Sequence, residues 1–88
     1  MIVKLFAVVD RVSGVFDGPH KALNNAQFLR GFADQVAKPD TQLNNHPEDF
    51  YAVEIGTYND ASGDIVPLDA GPVRIANATD FVFPKEEK

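Results

Sequence analysis

The chain opens with a run of apolar residues that predicts a buried strand. Seven of the eight residues from 2 to 9 are apolar, and β-branched and aromatic types are frequent among them. A continuous apolar run of this length is typical of a central strand that is covered on both faces. Residues 10–14 then have turn chemistry, residues 15–17 predict a short return strand, and Gly18-Pro19 is expected to end it.

One amphipathic helix is predicted from Asn24 to Ala37. Its apolar residues follow the i, i+3, i+4, i+7 spacing of a single helical stripe, and they are Leu29, Phe32, Ala33 and Val36. Asn24 is a suitable N-cap with Gln27 at capping-box spacing, and Pro39 ends the helix because the residue before proline avoids helical angles. Gly31 costs about 1 kcal/mol relative to alanine within a helix, so we expect the sheet to approach the helix closely there.

The second half of the chain predicts a second hairpin. Residues 40–49 are polar, and Pro47 suits the first position of a short helical turn. Residues 50–58 alternate as a strand with one face more apolar than the other, and residues 59–64 form a turn. Residues 65–66 begin a return strand, which Pro67 places at an edge. A last short strand is predicted at residues 73–76, followed by an irregular end.

This order of elements predicts an α+β fold. We expect a small antiparallel sheet of four or five strands, built from two hairpins, with the helix packed on one face. Residues 1–83 are predicted to form a single domain and residues 84–88 a flexible charged tail. Because so small a domain buries limited surface, self-association would add stability, and short strand edges would allow two chains to pair.

Composition narrows the location and excludes several kinds of chemistry. The 88-residue chain has no cysteine, which removes disulfides, zinc–thiolate sites and cysteine nucleophiles and favours a reducing compartment. The apolar run at the N-terminus is interrupted by Lys4, is too short to span a membrane and lacks a cleavage site. These features predict a cytosolic protein.

The sequence contains no recognised catalytic or phosphate-binding motif, so we expect neither an enzyme nor a cofactor. His46 lies close to Glu48 and Asp49, which allows either a metal or acid–base site or a loop histidine that is hydrogen-bonded near a turn. Asp60 and Asp64 flank a Ser-Gly turn, which allows either a calcium loop or aspartates that cap turn amides.

The net charge of −5 produces a field that repels nucleic acid as a whole. Binding to DNA would therefore require a local patch of cations beside exposed rings, the combination that single-strand binders use. The candidate cations are Lys4, Arg11 and Lys21, and the candidate stacking rings are Phe16, Tyr51 and Tyr58. The alternative is that these cations are scattered on the surface and that the rings belong to the core.

Four stretches together resemble one protein family. They are residues 5–10 (LFAVVD), 30–36 (RGFADQV), 45–50 (NHPEDF) and 54–60 (EIGTYND), the last followed by Ser62-Gly63. The His-Pro-Glu-Asp and Glu-Ile-Gly pieces are fairly specific as a pair. Over roughly residues 3 to 81 the chain resembles the small nonstructural protein of gokushoviruses, which are single-stranded DNA phages of the microvirus family.

The resemblance implies a nonstructural protein that acts in replication or packaging of a single-stranded DNA genome. It implies a location in the host cytoplasm and outside the mature virion, and it assigns no catalytic residue. We expect a homo-dimer or larger assembly that binds single-stranded DNA. The alternative is an acidic interaction module for a phage replication protein, a capsid protein or a host factor, because negative charge suits a basic protein partner.

Overall fold

A five-stranded antiparallel sheet and one long helix form the fold in the computed structural model, which describes residues 1–82. The strands are β1 Ile2–Asp10, β2 Phe16–Ala22, β3 Phe50–Asn59, β4 Ile65–Pro67 and β5 Val73–Asn77. The helices are α1 Asn25–Ala37 and the short α2 Gln42–Asn45, and 3-10 turns span Pro47–Asp49 and Ala78–Phe81. The predicted α+β class is confirmed, whereas the predicted tail at 84–88 lies outside the described residues.

β1 is the central strand, as its apolar run predicts. The sheet order is β2-β1-β3-β4, and β5 pairs with β3 as well. β1 therefore has a neighbour on both sides, and its register with β3 runs from the Ile2–Asn59 pair to the Asp10–Phe50 pair. Phe6 is completely buried and Ala7 is 1% exposed, which explains why polar residues are nearly absent from this segment.

β2 differs from the prediction because it does not end at Gly18-Pro19. The strand continues to Ala22, and the register with β1 shifts at this point, between the Phe6–His20 and Val8–Asp17 pairs. β2 lies at the edge of the sheet, where a proline without an N–H group costs no ladder hydrogen bond. The residues of β2 that follow this irregularity pair with the first half of β1, which would otherwise have no neighbouring strand on this side.

The N-cap of α1 forms as predicted. Asn24 Oδ1 accepts a hydrogen bond from the Gln27 backbone N–H at 2.8 Å, and Gln27 Oε1 accepts from the Leu23 N–H at 2.7 Å. The first bond satisfies a donor of the first helical turn, whereas the second reaches the residue before the cap, so Gln27 does not complete the predicted capping box with the Asn24 N–H. The helix ends at Ala37, immediately before the extended Lys38. Within residues 1–82, no helix is both long enough and apolar enough to cross a bilayer.

The expectation for Gly31 is wrong. Gly31 is exposed, and a Cβ atom at this position would meet no atom of another element within 4 Å. The sheet does not approach the helix there, so no contact requires glycine. Gly63, in the turn between β3 and β4, also has open space around it, but its φ of +81° belongs to the left-handed region that favours glycine.

Replacing Gly31 with alanine should therefore stabilise the protein. The change removes the poor helix propensity of glycine at an open site, and we expect the free energy of unfolding to rise by about 0.5–1 kcal/mol. Urea unfolding followed by circular dichroism measures this. Gly63→Ala is the matched control, and it should destabilise the fold because alanine resists a positive φ. A lower free energy of unfolding in Gly31→Ala would contradict the open space around this position.

Candidate nucleic-acid interface

The two faces of the sheet have different surroundings. Side chains alternate along a strand, and residues directly opposite one another on paired strands share a face. On one face α1 contributes Phe32 and Val36 to a buried cluster with Ala52 and Ala78. Val8 also packs against this cluster, so residues 4, 6, 8 and 10 of β1 lie on the helix side and residues 3, 5, 7 and 9 lie on the opposite face.

The opposite face, which we call the open face, is defined by the strand register. Its residues include Val3, Leu5, Ala7, Val9, Phe16, Lys21, Tyr51, Val53, Tyr58 and Arg74. Its buried centre consists of Ala7, Val9 and Val53, and the partly buried hydrophobic residues packed against it, Tyr51 and Ile55, come from the sheet itself. The centre of this face is thus covered by long side chains of neighbouring strands.

Four of the residues predicted for nucleic-acid binding share this open face. Phe16 and Tyr51 lie on either side of Val9 in one cross-strand row. Tyr58 is opposite Val3, and Lys21 is opposite Leu5. The Lys21 Nζ atom lies 6.0 Å from the centroid of the Tyr58 ring. Phe16 is 49% exposed, so its ring is available to a ligand.

Lys4 is not brought to the open face. It occupies a helix-side position of β1, where its Nζ donates a hydrogen bond to Asn25 Oδ1 at 3.1 Å. The same Nζ lies 3.7 Å from a carboxylate oxygen of Glu54. The reason is the alternation of the strand, because Lys4 points away from its neighbours Val3 and Leu5. Lys4 therefore ties the sheet to the start of α1.

Arg11 lies beyond the end of β1, in the first turn. Its backbone N–H donates to the Asp49 carbonyl at 2.8 Å, and its Nη1 donates to the Glu48 carbonyl at 3.4 Å. Both contacts are made to the 3-10 turn that precedes β3. Arg11 therefore borders the open face at the end where Tyr51 lies.

Arg74 is an open-face cation that the sequence did not identify as a site residue. Its Cζ lies 3.8 Å from the centroid of the Tyr51 ring, and its Nη1 donates to Asn77 Oδ1 at 3.3 Å. Strand alternation within residues 73–76 does not decide on which face of the sheet Arg74 lies. The choice between the faces depends on the register of β5 against β3, which shifts between Ala52 and Val53, and no local sequence signal specifies this shift.

The carboxylates of the strands are confined to one face of the sheet. The strand carboxylates, Asp10, Asp17 and Glu54, all occupy helix-side register positions. Lys21 and Arg74 occupy open-face positions. The strands therefore present positive charge on the open face, although the whole chain has a net charge of −5.

Asp60 borders the open face in the turn after β3. Its carboxylate accepts a hydrogen bond from the N-terminal amine of Met1 at 2.8 Å. This hydrogen bond is the main cause that lowers the pKa of Asp60, and Lys21 adds a smaller electrostatic contribution. The Asp60 charge is thereby partly balanced within the chain.

The other candidate ligands of the sequence lie in turns. His46, Glu48 and Asp49 have ligand atoms within 4.8 Å of one another, and the first two side chains are exposed. These three residues lie on a surface turn, where exposed acidic groups are common, so their proximity alone does not assign a metal site. Asp64 lies in the β3–β4 turn, where its backbone carbonyl accepts from the Asn59 N–H at 2.9 Å. The expectation that these aspartates cap turn amides is wrong, because the amides of the turn donate to other side chains: Ala61 N–H to Asn59 Oδ1 at 2.9 Å and Asp64 N–H to Ser62 Oγ at 3.3 Å.

A second concave surface, the helix-side groove, lies on the other side of the sheet. It has a volume of about 830 Å³. Its apolar lining includes Val8, Val15, Phe28, Phe32, Leu43 and Phe50. The ring of Phe28, which lines the groove, stacks on the buried ring of Phe6 with the centroids 4.5 Å apart. Ligand sites are usually concave and mostly apolar, so this groove is a second candidate for binding.

The contact of Asp60 with the N-terminal amine predicts how this carboxyl group titrates. In a chain that begins at Met1, the Asp60 pKa should lie below the ordinary value for aspartate. Because the folded pKa is lowered, the contact stabilises the fold above the ordinary pKa, and this contribution is lost as the pH falls through the lowered value. Carbon-13 NMR titration measures it. Acetylation of Met1 should return the pKa towards normal, and an unchanged pKa would exclude the amine as the cause.

Comparison with known proteins gives two matches. Residues 3–81 match a family model described as Phage ORF5 protein. A curated relative, Protein ORF5 of Chlamydia phage 1, is 38% identical over 60 residues. This alignment covers 66% of the chain and 62% of the relative, so it spans less than two thirds of that protein. No solved structure matches the chain.

Proposed function

Because the chain belongs to the Phage ORF5 protein family, we propose that it binds single-stranded DNA through its open face. The resemblance to gokushovirus proteins is confirmed by the relative from Chlamydia phage 1, which is a gokushovirus. The observation that carries the proposal is that Phe16, Tyr51 and Tyr58 share one face with Lys21 and Arg74.

The open face offers stacking surfaces of three kinds. Phe16 presents a half-exposed ring. Tyr51 has one ring face against the Arg74 guanidinium, and the outer side of this planar group is itself a stacking surface for a base. Tyr58 lies beside Lys21. Stacking of bases on such groups contributes about 1–3 kcal/mol per base and tolerates any sequence, which suits a protein that follows a genome strand.

The dimensions of the face suit several nucleotides. Phe16 and Tyr51 are separated by one strand, so their backbones lie about 10 Å apart at the usual strand spacing. Tyr51 and Tyr58 are seven residues apart in β3, which corresponds to about 23 Å along the strand. A flexible single strand that runs along β3 passes both tyrosines, with Arg74 beside it on β5 and the Lys21 side chain reaching towards Tyr58 from β2.

The net negative charge predicts a modest affinity with a marked salt dependence. Few phosphates are neutralised by Lys21 and Arg74, and the remainder of the chain repels the strand. Stacking must therefore supply much of the binding free energy. The proposed role is non-enzymatic and needs no cofactor, and it serves genome replication or packaging in the host cytoplasm, outside the mature virion. The support for these last points is the family and the absence of catalytic motifs in the sequence.

The predicted homo-oligomer stays a prediction, and the described edges give little support to assembly by strand pairing. β2 is interrupted at Gly18-Pro19, and β4 is a three-residue strand that ends in Pro67. Short edges and prolines are features that hinder pairing between chains. Two chains joined in another way would place two open faces on one strand and raise the overall affinity.

Fluorescence anisotropy with labelled oligothymidylates tests the proposal. The wild-type chain should bind at about 20 mM salt and lose affinity steeply as salt is added. Phe16→Ala removes an exposed ring at little cost to the core, and we expect a loss of about 1–3 kcal/mol in binding. Lys21→Ala should reduce the salt dependence by about 0.7 in the log–log slope.

Arg30→Ala is the matched control for Lys21→Ala, because Arg30 is an exposed cation on α1, on the other side of the sheet. It removes the same charge and should leave the affinity nearly unchanged. Absence of binding by the wild-type chain at low salt would exclude the proposal. An equal loss in Arg30→Ala and Lys21→Ala would show that binding does not use a particular face.

The helix-side groove favours a second candidate function, which is binding of a basic protein segment. The apolar lining accepts apolar side chains of a partner, and Asp10 and Asp17 also line the groove. Together with the net charge of −5, these carboxylates match a partner in which basic residues flank the apolar ones. A phage replication or capsid protein with this chemistry is the expected occupant.

A pair of substitutions at Gly31 tests the groove. Gly31 lines the groove and has open space around it, so Gly31→Leu should fold and fill part of the volume. Gly31→Ala adds one methyl group and is the control. In pull-down from infected cells, we expect Gly31→Ala to retain a basic phage or host protein and Gly31→Leu to lose most of it. Equal recovery with both variants, or recovery of nucleic acid alone, would contradict this function.

A further inference from the structure

A small polar pocket lies where the open face meets the first turn. It has a volume of about 230 Å³, and we call it the arginine pocket. Its polar lining consists of Arg11, Glu48, Tyr51, Arg74, Asn77 and Thr79. These residues come from the first turn, the two 3-10 turns, β3 and β5. The pocket is therefore formed by segments that are distant in sequence.

The two guanidinium groups of the pocket have no carboxylate partner among residues 1–82. The ion pairs of the described chain involve the Met1 amine, Lys4 and His20. Arg11 Nη1 donates to the Glu48 carbonyl and Arg74 Nη1 donates to the Asn77 side-chain oxygen, and both acceptors are neutral. Since a guanidinium group has several N–H donors, most of them stay available for a ligand.

Both arginines are held in position by their surroundings. The Arg74 Cζ lies over the Tyr51 ring, 3.8 Å from its centroid, and Arg74 Nη1 also donates a hydrogen bond to Asn77. The Arg11 backbone is held by its hydrogen bond to Asp49, and its side chain is directed by a hydrogen bond of 3.4 Å to the Glu48 carbonyl. A donor that is already positioned loses less conformational entropy when a ligand binds. Both features indicate a site that is arranged before its ligand arrives.

We infer that the arginine pocket binds one phosphate group of the DNA backbone. Planar guanidinium donors match phosphate oxygens in pairs, and the Asn77 amide and the Thr79 hydroxyl provide further polar groups. Its polar lining suits a phosphate group better than a stacked base. The pocket continues the row of Phe16, Val9 and Tyr51, so a strand whose bases stack on that row places a phosphate at the pocket. The inference rests on the proposed function of the open face.

The polar lining also contains the carboxylate of Glu48, which repels an anion such as phosphate. Its side chain is exposed, and its carboxylate oxygens lie more than 4.0 Å from both guanidinium groups. Water screens an exposed charge strongly, so Glu48 weakens phosphate binding without preventing it. The substitution Glu48→Gln should therefore strengthen binding several-fold, which is the opposite of the effect of losing an arginine.

Two measurements on the full chain test the inference. In the first, inorganic phosphate is added while amide NMR signals are recorded, and Asn77, Thr79 and the arginine side chains should shift saturably. In the second, anisotropy with oligothymidylate compares Arg11→Ala, Arg74→Lys and the Arg30→Ala control. Arg11→Ala should lower the salt slope by about 0.7. Arg74→Lys keeps the charge but loses the paired donors and the stacked plane, so it should weaken binding about tenfold.

The outcomes separate this inference from the proposed function. If wild type binds the oligonucleotide but phosphate shifts no pocket residue and Arg11→Ala behaves like the control, the pocket is excluded and the open face stands. If phosphate shifts the pocket residues while the oligonucleotide does not bind, the pocket is a site for inorganic phosphate, and the assignment of its ligand to the DNA backbone fails together with the proposed function. If phosphate causes the same NMR signal shifts in Arg11→Ala as in the wild-type chain, phosphate does not bind specifically in the pocket and the inference is overturned. Arg11 is exposed in a turn, so this variant remains informative even if a change at Arg74 disturbs the packing of Tyr51.

Discussion

β1 is apolar on both faces, but α1 and the shorter helical segments pack on one side of the sheet. Ala7 and Val9 lie on the other side and are nevertheless only 1% and 3% exposed. Their cover comes from the sheet itself, through Tyr51 and Ile55, and the long side chains of Lys21 and Arg74 occupy neighbouring positions of the same face. Lysine and arginine can bury their stems while their charged ends stay in water. The side chains that protect the core on this side are therefore the ones that a ligand meets.

The same alternation explains how an acidic chain presents a basic face. Each strand position belongs to one face, and the strand carboxylates Asp10, Asp17 and Glu54 all fall on the helix side. There Glu54 is paired with Lys4 and Asp17 lies near His20. The net charge of a chain describes its average field, whereas binding depends on the charges that face the ligand. An inference from composition alone therefore underestimates the positive charge that the open face presents.

Much of the fold could be predicted from sequence because its signals are local. The apolar run of β1, the spacing of Phe32 and Val36, the Asn24 cap and the turn glycines each act within a few residues. β2 beyond Pro19 could not be predicted, since its continuation depends on pairing with β1. The same holds for Arg74, whose face is set by a register shift in β5. Lys4 could have been excluded, because alternation along β1 already separates it from Val3 and Leu5.

The two candidate surfaces lie on opposite sides of one sheet and meet along β2. Lys21 has an open-face register position and also lines the helix-side groove, and His20 on the groove side stacks near Phe28 at 6.2 Å. A DNA strand on the open face and a protein segment in the groove would therefore lie next to each other along β2 without overlapping. If both proposed sites are occupied, the partner's basic residues lie near the phosphates that Lys21 is proposed to contact. Favourable contact between a basic partner and the bound strand then offsets the repulsion that the chain's own negative charge produces.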